Sequence, residues 1–85
     1  MPDVDIYTTR FCGFCVAAKR LLKSKGVEFS EIDVARDPSK RAEMMARSSG
    51  GRTVPQIFIG DDYVGGCDDL FALERAGKLD PMLAL

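Results

Sequence analysis

Val4-Asp5-Ile6-Tyr7-Thr8-Thr9-Arg10-Phe11-Cys12-Gly13-Phe14-Cys15-Val16 sets two cysteines three apart between segments of different habit. Val4 and Ile6 are apolar and Ile6 to Thr9 are β-formers, so the first segment reads as a strand. From Val16 to Lys25 helix formers follow one another and Gly26 supplies a stop, so a helix is expected over Gly13 to Lys25. Two cysteines at this spacing can close a small disulfide, hold half of a metal site, or cycle between dithiol and disulfide. Their position favours the third. The first falls in the loop before the helix and the second in its first turn, where unpaired N–H groups and the positive end of the helix dipole stabilise a thiolate. The thiolate is the nucleophile of thiol chemistry. Cys-x-x-Cys at a strand-to-helix junction beside a βαβ pattern is a redox signal.

The 85 residues bound the answer to one small domain, with room for a single sheet and two or three helices. With 46% apolar and 29% charged residues the composition is that of a folded globular chain, not a disordered one. A net charge of −1 gives no reason to expect nucleic acid or an anionic membrane as partner. No apolar run approaches membrane-spanning length, and Met1-Pro2-Asp3 lacks a basic region followed by an apolar one. Neither a transmembrane helix nor a signal peptide is expected. Three cysteines are an odd count, unlike a secreted disulfide framework, so a reducing, cytoplasmic setting is expected. There is no histidine, which excludes histidine triads and histidine metal sites, and three cysteines cannot fill a four-cysteine zinc site within one chain.

Working outward, helix one should turn Val16, Ala17, Leu21 and Leu22 to the sheet and Lys19, Arg20 and Lys23 to water. Val27 to Val34 is a second strand, but Phe29, Ile32 and Val34 do not share one parity, which calls for a bulge or for burial on both faces. Strand, helix and strand make a βαβ unit with a right-handed crossover. Asp37-Pro38 opens a second helix as N-cap and first helical residue, Met44 and Met45 fill its apolar side, and Ser48-Ser49-Gly50-Gly51 ends it. Thr53 to Ile59 is a third strand, Gly60-Asp61-Asp62 a hairpin turn, and Tyr63-Val64 a fourth strand. Gly65-Gly66 breaks the chain, Asp68-Asp69 starts a third helix through Leu70, Phe71 and Leu73 to Arg75, and Gly77 stops it. Asp80-Pro81 opens a last turn. Pro55 is either the first residue of its strand or a cis-proline that turns Val54 toward a ligand. Only about one X–Pro bond in twenty is cis, so the dipeptide alone favours trans.

These pieces together carry a resemblance. Strand, Cys12-Gly13-Phe14-Cys15, helix, Thr53-Val54-Pro55 and Gly65-Gly66-Cys67-Asp68-Asp69 resemble a dithiol glutaredoxin of the small bacterial type, over essentially the whole chain. The resemblance implies an α/β chain with the thioredoxin fold, a four-stranded mixed β-sheet flanked by three or more helices in the order β-α-β-α-β-β-α, as one domain over 1–85. It implies a cis Val54-Pro55 bond, against the base rate. It implies glutathione as ligand and reductant, bound by Arg10, Phe14, Thr53, Val54, Pro55, Gly66, Cys67 and Asp68. Chemically this is coherent: glutathione is an extended tripeptide, Val54's backbone can pair with it as a strand, and the start of helix three offers N–H groups to its γ-glutamyl carboxylate. Asp68 offers a carboxylate to its amine, Asp69 is the helix cap, and Cys67 acts through its backbone. The chain departs from the family in two places. Gly13-Phe14 stands where many members have Pro-Tyr, and Thr9 where a lysine is usual. Arg10 is the candidate for the missing charge, against the alternative of a solvated arginine, and Arg41 is a weaker one.

The expected chemistry follows. Cys12 attacks a mixed disulfide of glutathione with a protein, and Cys15 resolves protein disulfides. Glutathionylated and disulfide-containing proteins are the expected partners, with no nucleic acid and no membrane. The alternative, made more plausible by Gly13, is a [2Fe-2S] cluster shared by two chains, each giving Cys12 and a bound glutathione, so that the chain is a monomer unless cluster-bound. A third reading, a thioredoxin-like protein reduced by a flavoprotein, is opposed by the Thr53-Val54 and Gly66-Cys67-Asp68 blocks.

Overall fold

Val4–Thr8 forms the strand β1 in the computed structural model, which describes residues 2–85, and β1 lies inside the sheet, not at its edge. The helix α1 (Gly13–Ser24) carries the chain to β2 (Ser30–Asp33), which pairs parallel with β1. The helix α2 (Pro38–Arg47) leads to β3 (Gln56–Ile59), antiparallel to β1, and β4 (Asp62–Gly65) returns antiparallel to β3. The sheet order is β2-β1-β3-β4. Helices α3 (Cys67–Arg75) and α4 (Leu79–Met82) complete the chain. The four-stranded mixed sheet with flanking helices is the expected thioredoxin fold.

Side chains alternate along a strand, so one run of residues serves two cores. Val4 and Ile6 of β1 and Ile57 and Ile59 of β3 pack with Ala18 and Leu22 of α1, Leu70 of α3, Leu79 and Leu83. On the other face Tyr7 and Phe58 pack with Val34 and with Met44 of α2, and Met45 adds to the edge. Met44 is core, as expected, and Met45 packs half-buried against it. The parity conflict in the second strand resolves on this plan. Val27 and Phe29 join the first cluster and Ile32 and Val34 the second. The strand itself is shorter than expected, Ser30–Asp33 instead of Val27–Val34, with no buried residue of its own, so Val27 and Phe29 precede it and Val34 follows it. Its register with β1 runs unbroken from Asp5–Ser30 to Thr8–Asp33. The irregularity sits elsewhere, between Ile57 and Phe58 in the β3–β4 pairing.

Three further expectations need correction. On α1 the inward stripe is Cys15, Ala18 and Leu22, while Val16 is 45% exposed and Ala17 and Leu21 only border the core. Residues i, i+3 and i+7 share one helix face, and Cys15 sets that face as a small buried hydrophobe. The third strand begins at Gln56 instead of Thr53, because Thr53-Val54-Pro55 forms a loop about a cis Val54–Pro55 bond. The base rate for X–Pro bonds pointed the other way, and the family resemblance pointed correctly. Finally α3 starts at Cys67, one residue early, with Gly66 at the N-cap. Asp37 caps α2 as expected, its Oδ1 accepting the Ser39 N–H at 2.9 Å and the Ser39 hydroxyl at 2.6 Å.

Candidate active site

The site grows from the end of β1. After Thr8 the chain leaves the sheet, and Phe11 takes φ +57° with its ring wholly in water, 101% exposed. Cys12 follows in an extended conformation (φ −106°, ψ 108°) as the N-cap of α1. Its Sγ accepts the backbone N–H of Cys15 at 3.2 Å, and its carbonyl accepts the N–H of Val16 at 3.1 Å. A thiolate here would thus meet an N–H and the positive helix end together. The Cys12 thiol also faces the Val54 carbonyl, at 3.8 Å. That contact joins the cysteine loop to the cis-proline loop, which are 42 residues apart in sequence.

The second cysteine is different. Cys15 is 1% exposed. Burial pushes its thiol up to about 12 and contact with Cys12 pushes the same way, while a Thr9 backbone hydrogen bond and the charge of Lys19 oppose. Lys19 is held 3.0 Å from Glu31, which also accepts the Thr8 hydroxyl at 2.8 Å. Cys67 is buried as well, and burial and then the charge of Asp68 raise its thiol. Of the three cysteines, Cys12 is the one at the surface. Among the described residues no cluster of three or more Cys, Asp or Glu side chains could hold a metal ion.

Phe14, Val54, Pro55, Gly66, Cys67, Asp68 and Asp69 line a groove of about 160 Å³. Phe14, 65% exposed, forms a wall. The α3 N-terminus brings its first N–H groups to the same place, at Cys67 and Asp68. Six of the expected binding residues therefore meet in one groove. Arg10 does not join them. It lines a separate depression of about 370 Å³ with Thr9, Phe11, Cys12, Lys19 and Glu31. Thr53 is outside the groove too, its carbonyl accepting Nε2 of Gln56 at 3.0 Å. Arg41 donates to the Arg52 carbonyl at 3.3 Å, so it steadies the same loop from the α2 side. A larger depression of about 690 Å³, around Asp3, Gly26 and Glu28, lies at the other end of β1 and contains no cysteine. The sequence reading missed Gln56 and Tyr63, the residues beneath the cis-proline loop. The sequence signalled them only weakly: a polar residue in an otherwise apolar strand.

A family profile for glutaredoxin matches residues 4–64. The chain belongs to the glutaredoxin family. It is 60% identical over 84 residues to a glutaredoxin of Pseudomonas aeruginosa, covering 99% of both chains. It is 53% identical over 83 residues to glutaredoxin 3 of Escherichia coli, covering 98% of this chain and 99% of the relative. Among solved structures it is similar to a buckwheat glutaredoxin–glutathione complex, with a TM-score of 0.88 and 30% identity, over 98% of this chain and 77% of that one. As a glutaredoxin with Cys12 at the surface and Cys15 behind it, the protein is a thiol oxidoreductase in general terms.

Proposed function

We propose that the protein uses glutathione to reduce protein–glutathione mixed disulfides and protein disulfides through Cys12 and Cys15. The observation that carries this reading is the single surface thiol, at a helix N-cap and 3.8 Å from the Val54 carbonyl, with a second thiol buried directly behind it. The likeness to a structure that contains glutathione supports the ligand. Val54, Cys67 and Asp68 supply what an extended tripeptide needs: a stretch of backbone outside the sheet, helix N–H groups and a carboxylate.

With a glutathionylated protein, the Cys12 thiolate attacks the glutathione sulfur. A Cys12–glutathione disulfide forms, and the protein leaves as a thiolate that takes a proton from water. A second glutathione thiolate attacks the glutathione sulfur on Cys12, which yields glutathione disulfide and free Cys12. With a protein disulfide, Cys12 attacks one sulfur. Cys15 then gives up its proton and attacks Cys12 Sγ, releasing the reduced protein and leaving a Cys12–Cys15 disulfide. Two glutathiones reduce that bond. The reading carries a reducing, cytoplasmic setting and a monomer. A shared [2Fe-2S] cluster would draw Cys12 alone from each chain, since Cys15 and Cys67 are both buried. Visible absorption after anaerobic reconstitution with iron and sulfide tests for it.

Coupled turnover with glutathione, glutathione reductase and NADPH on a glutathionylated small thiol tests the main reading. Cys12→Ser should be inactive. Cys15→Ser should keep this activity, because one thiolate suffices, and lose most reduction of protein disulfides, which needs two. A Cys15→Ser protein that is folded by circular dichroism yet as inactive as Cys12→Ser would rule the one-thiol route out.

A further inference from the structure

Beneath the cis-proline loop lies a chain of hydrogen bonds that the thiol chemistry does not use. Tyr63 of β4 donates its hydroxyl to Oε1 of Gln56 at 2.6 Å. Gln56, 4% exposed, donates Nε2 to the Thr53 carbonyl at 3.0 Å and stands 3.4 Å from the Thr53 hydroxyl oxygen. The amide has one workable orientation. Turned over, its oxygen would face the Thr53 carbonyl oxygen, acceptor against acceptor. Tyr63 is therefore the donor of the pair. Its ring is held against Phe58, with centroids 5.1 Å apart, and Phe58 in turn carries the Arg47 guanidinium at 4.1 Å. Gly51 closes over the amide so tightly that a Cβ there would come within 2.9 Å of Nε2.

The consequence lies within one peptide unit. Among the described residues the cis bond is Val54–Pro55, so Thr53–Val54 is trans. In a trans unit the C=O and N–H point opposite ways. With the Thr53 carbonyl drawn inward to Gln56, the Val54 N–H faces outward, where Val54 lines the groove beside Cys12. An N–H facing outward is what a strand-like ligand pairs with. We propose that Tyr63 and Gln56 are positioning residues that fix the Thr53–Val54 peptide so that the Val54 N–H is presented to the backbone of glutathione. The inference rests on the glutathione reading and adds two residues, neither of which lines the groove.

The test is an equilibrium. In a Cys15→Ser background, glutathione and glutathione disulfide set the ratio of free to glutathionylated Cys12, read by mass spectrometry. A parallel titration uses 2-mercaptoethanol and its disulfide, which put on Cys12 an adduct with no peptide backbone. Tyr63→Phe keeps the ring and removes only the donor. It should lower the glutathione constant about threefold to tenfold, the weight of one neutral hydrogen bond, and leave the mercaptoethanol constant in place. Gln56→Glu cannot donate to the Thr53 carbonyl, so it should lose at least as much, and adding Tyr63→Phe to it should cost nothing further. A glutathione constant unmoved by Tyr63→Phe, or both constants falling together, overturns the proposal. If the parent shows no preference for glutathione over mercaptoethanol, the glutathione reading fails and this inference with it.

Discussion

Phe11 and Cys12 stand side by side in the turn between β1 and α1, the first at φ +57° and the second at the helix N-cap. Cys12 and Cys15 are identified by spacing and by the junction they occupy. Phe11 gives no such sign, because a left-handed backbone at an aromatic residue follows from the turn between β1 and α1, not from the side chain. At φ +57° an L-residue carries a cost of about 1–2 kcal/mol, and glycine avoids it at about 0.5–1 kcal/mol of chain entropy. The ring buries nothing. Phe11→Gly should therefore stabilise the fold slightly, by about 0.5–1 kcal/mol, seen as a rise of a few degrees in the thermal midpoint. Phe11→Ala keeps the Cβ and should show no gain. Gln56 and Tyr63 were hidden for a related reason: Gln56 donates to the Thr53 backbone carbonyl and Tyr63 to Gln56, contacts set by how the chain folds and not by a side-chain pattern.

Elements were read well where local chemistry decides them and poorly where tertiary packing does. Asp37-Pro38 carries the start of α2 in its own capping atoms. The buried stripe of α1 depends instead on which turn meets the sheet: the pattern points to Val16, Ala17, Leu21 and Leu22, and the structure keeps Leu22 but has Cys15 and Ala18 in place of the other three. The start of α3 separates two neighbouring acids. Asp69 reaches back to accept the Gly66 N–H at 2.9 Å, whereas the Asp68 carboxylate accepts no hydrogen bond among the described residues and faces the groove. The two should fail in opposite ways. Asp69→Ala should cost about 1 kcal/mol of stability, the usual worth of a cap. Asp68→Ala should leave the denaturation midpoint nearly unchanged and raise the Michaelis constant for glutathione. Equal losses of stability in the two variants would place both acids in the cap. Gly65 adds a constraint at the same corner: at φ +111° a Cβ would run into the Asp69 carboxylate, so Gly65→Ala should cost more stability than either.

For the molecule as a whole, stability should show a plateau in pH with a cause at each edge. Lys19 holds the Glu31 carboxyl, and Tyr7 the Glu43 carboxyl, below the ordinary value near 4.5. Their contribution is present above that value and is lost as pH falls through the folded-state values. Cys15 acts in the other direction: the fold prefers its protonated form, so stability present below the ordinary 9.0 is lost as pH rises from there toward about 12. Urea midpoints should be level between these edges and fall on both sides, and Cys15→Ala should flatten the alkaline limb. An unchanged alkaline limb in that variant would mean that other groups govern it. The same burial also fixes a stoichiometry. Although the chain has three cysteines, only Cys12 is within reach of a reagent in solution. To an alkylating agent the folded protein is a monothiol. It takes one adduct per chain, and the other two sulfurs enter the count only after the fold has opened.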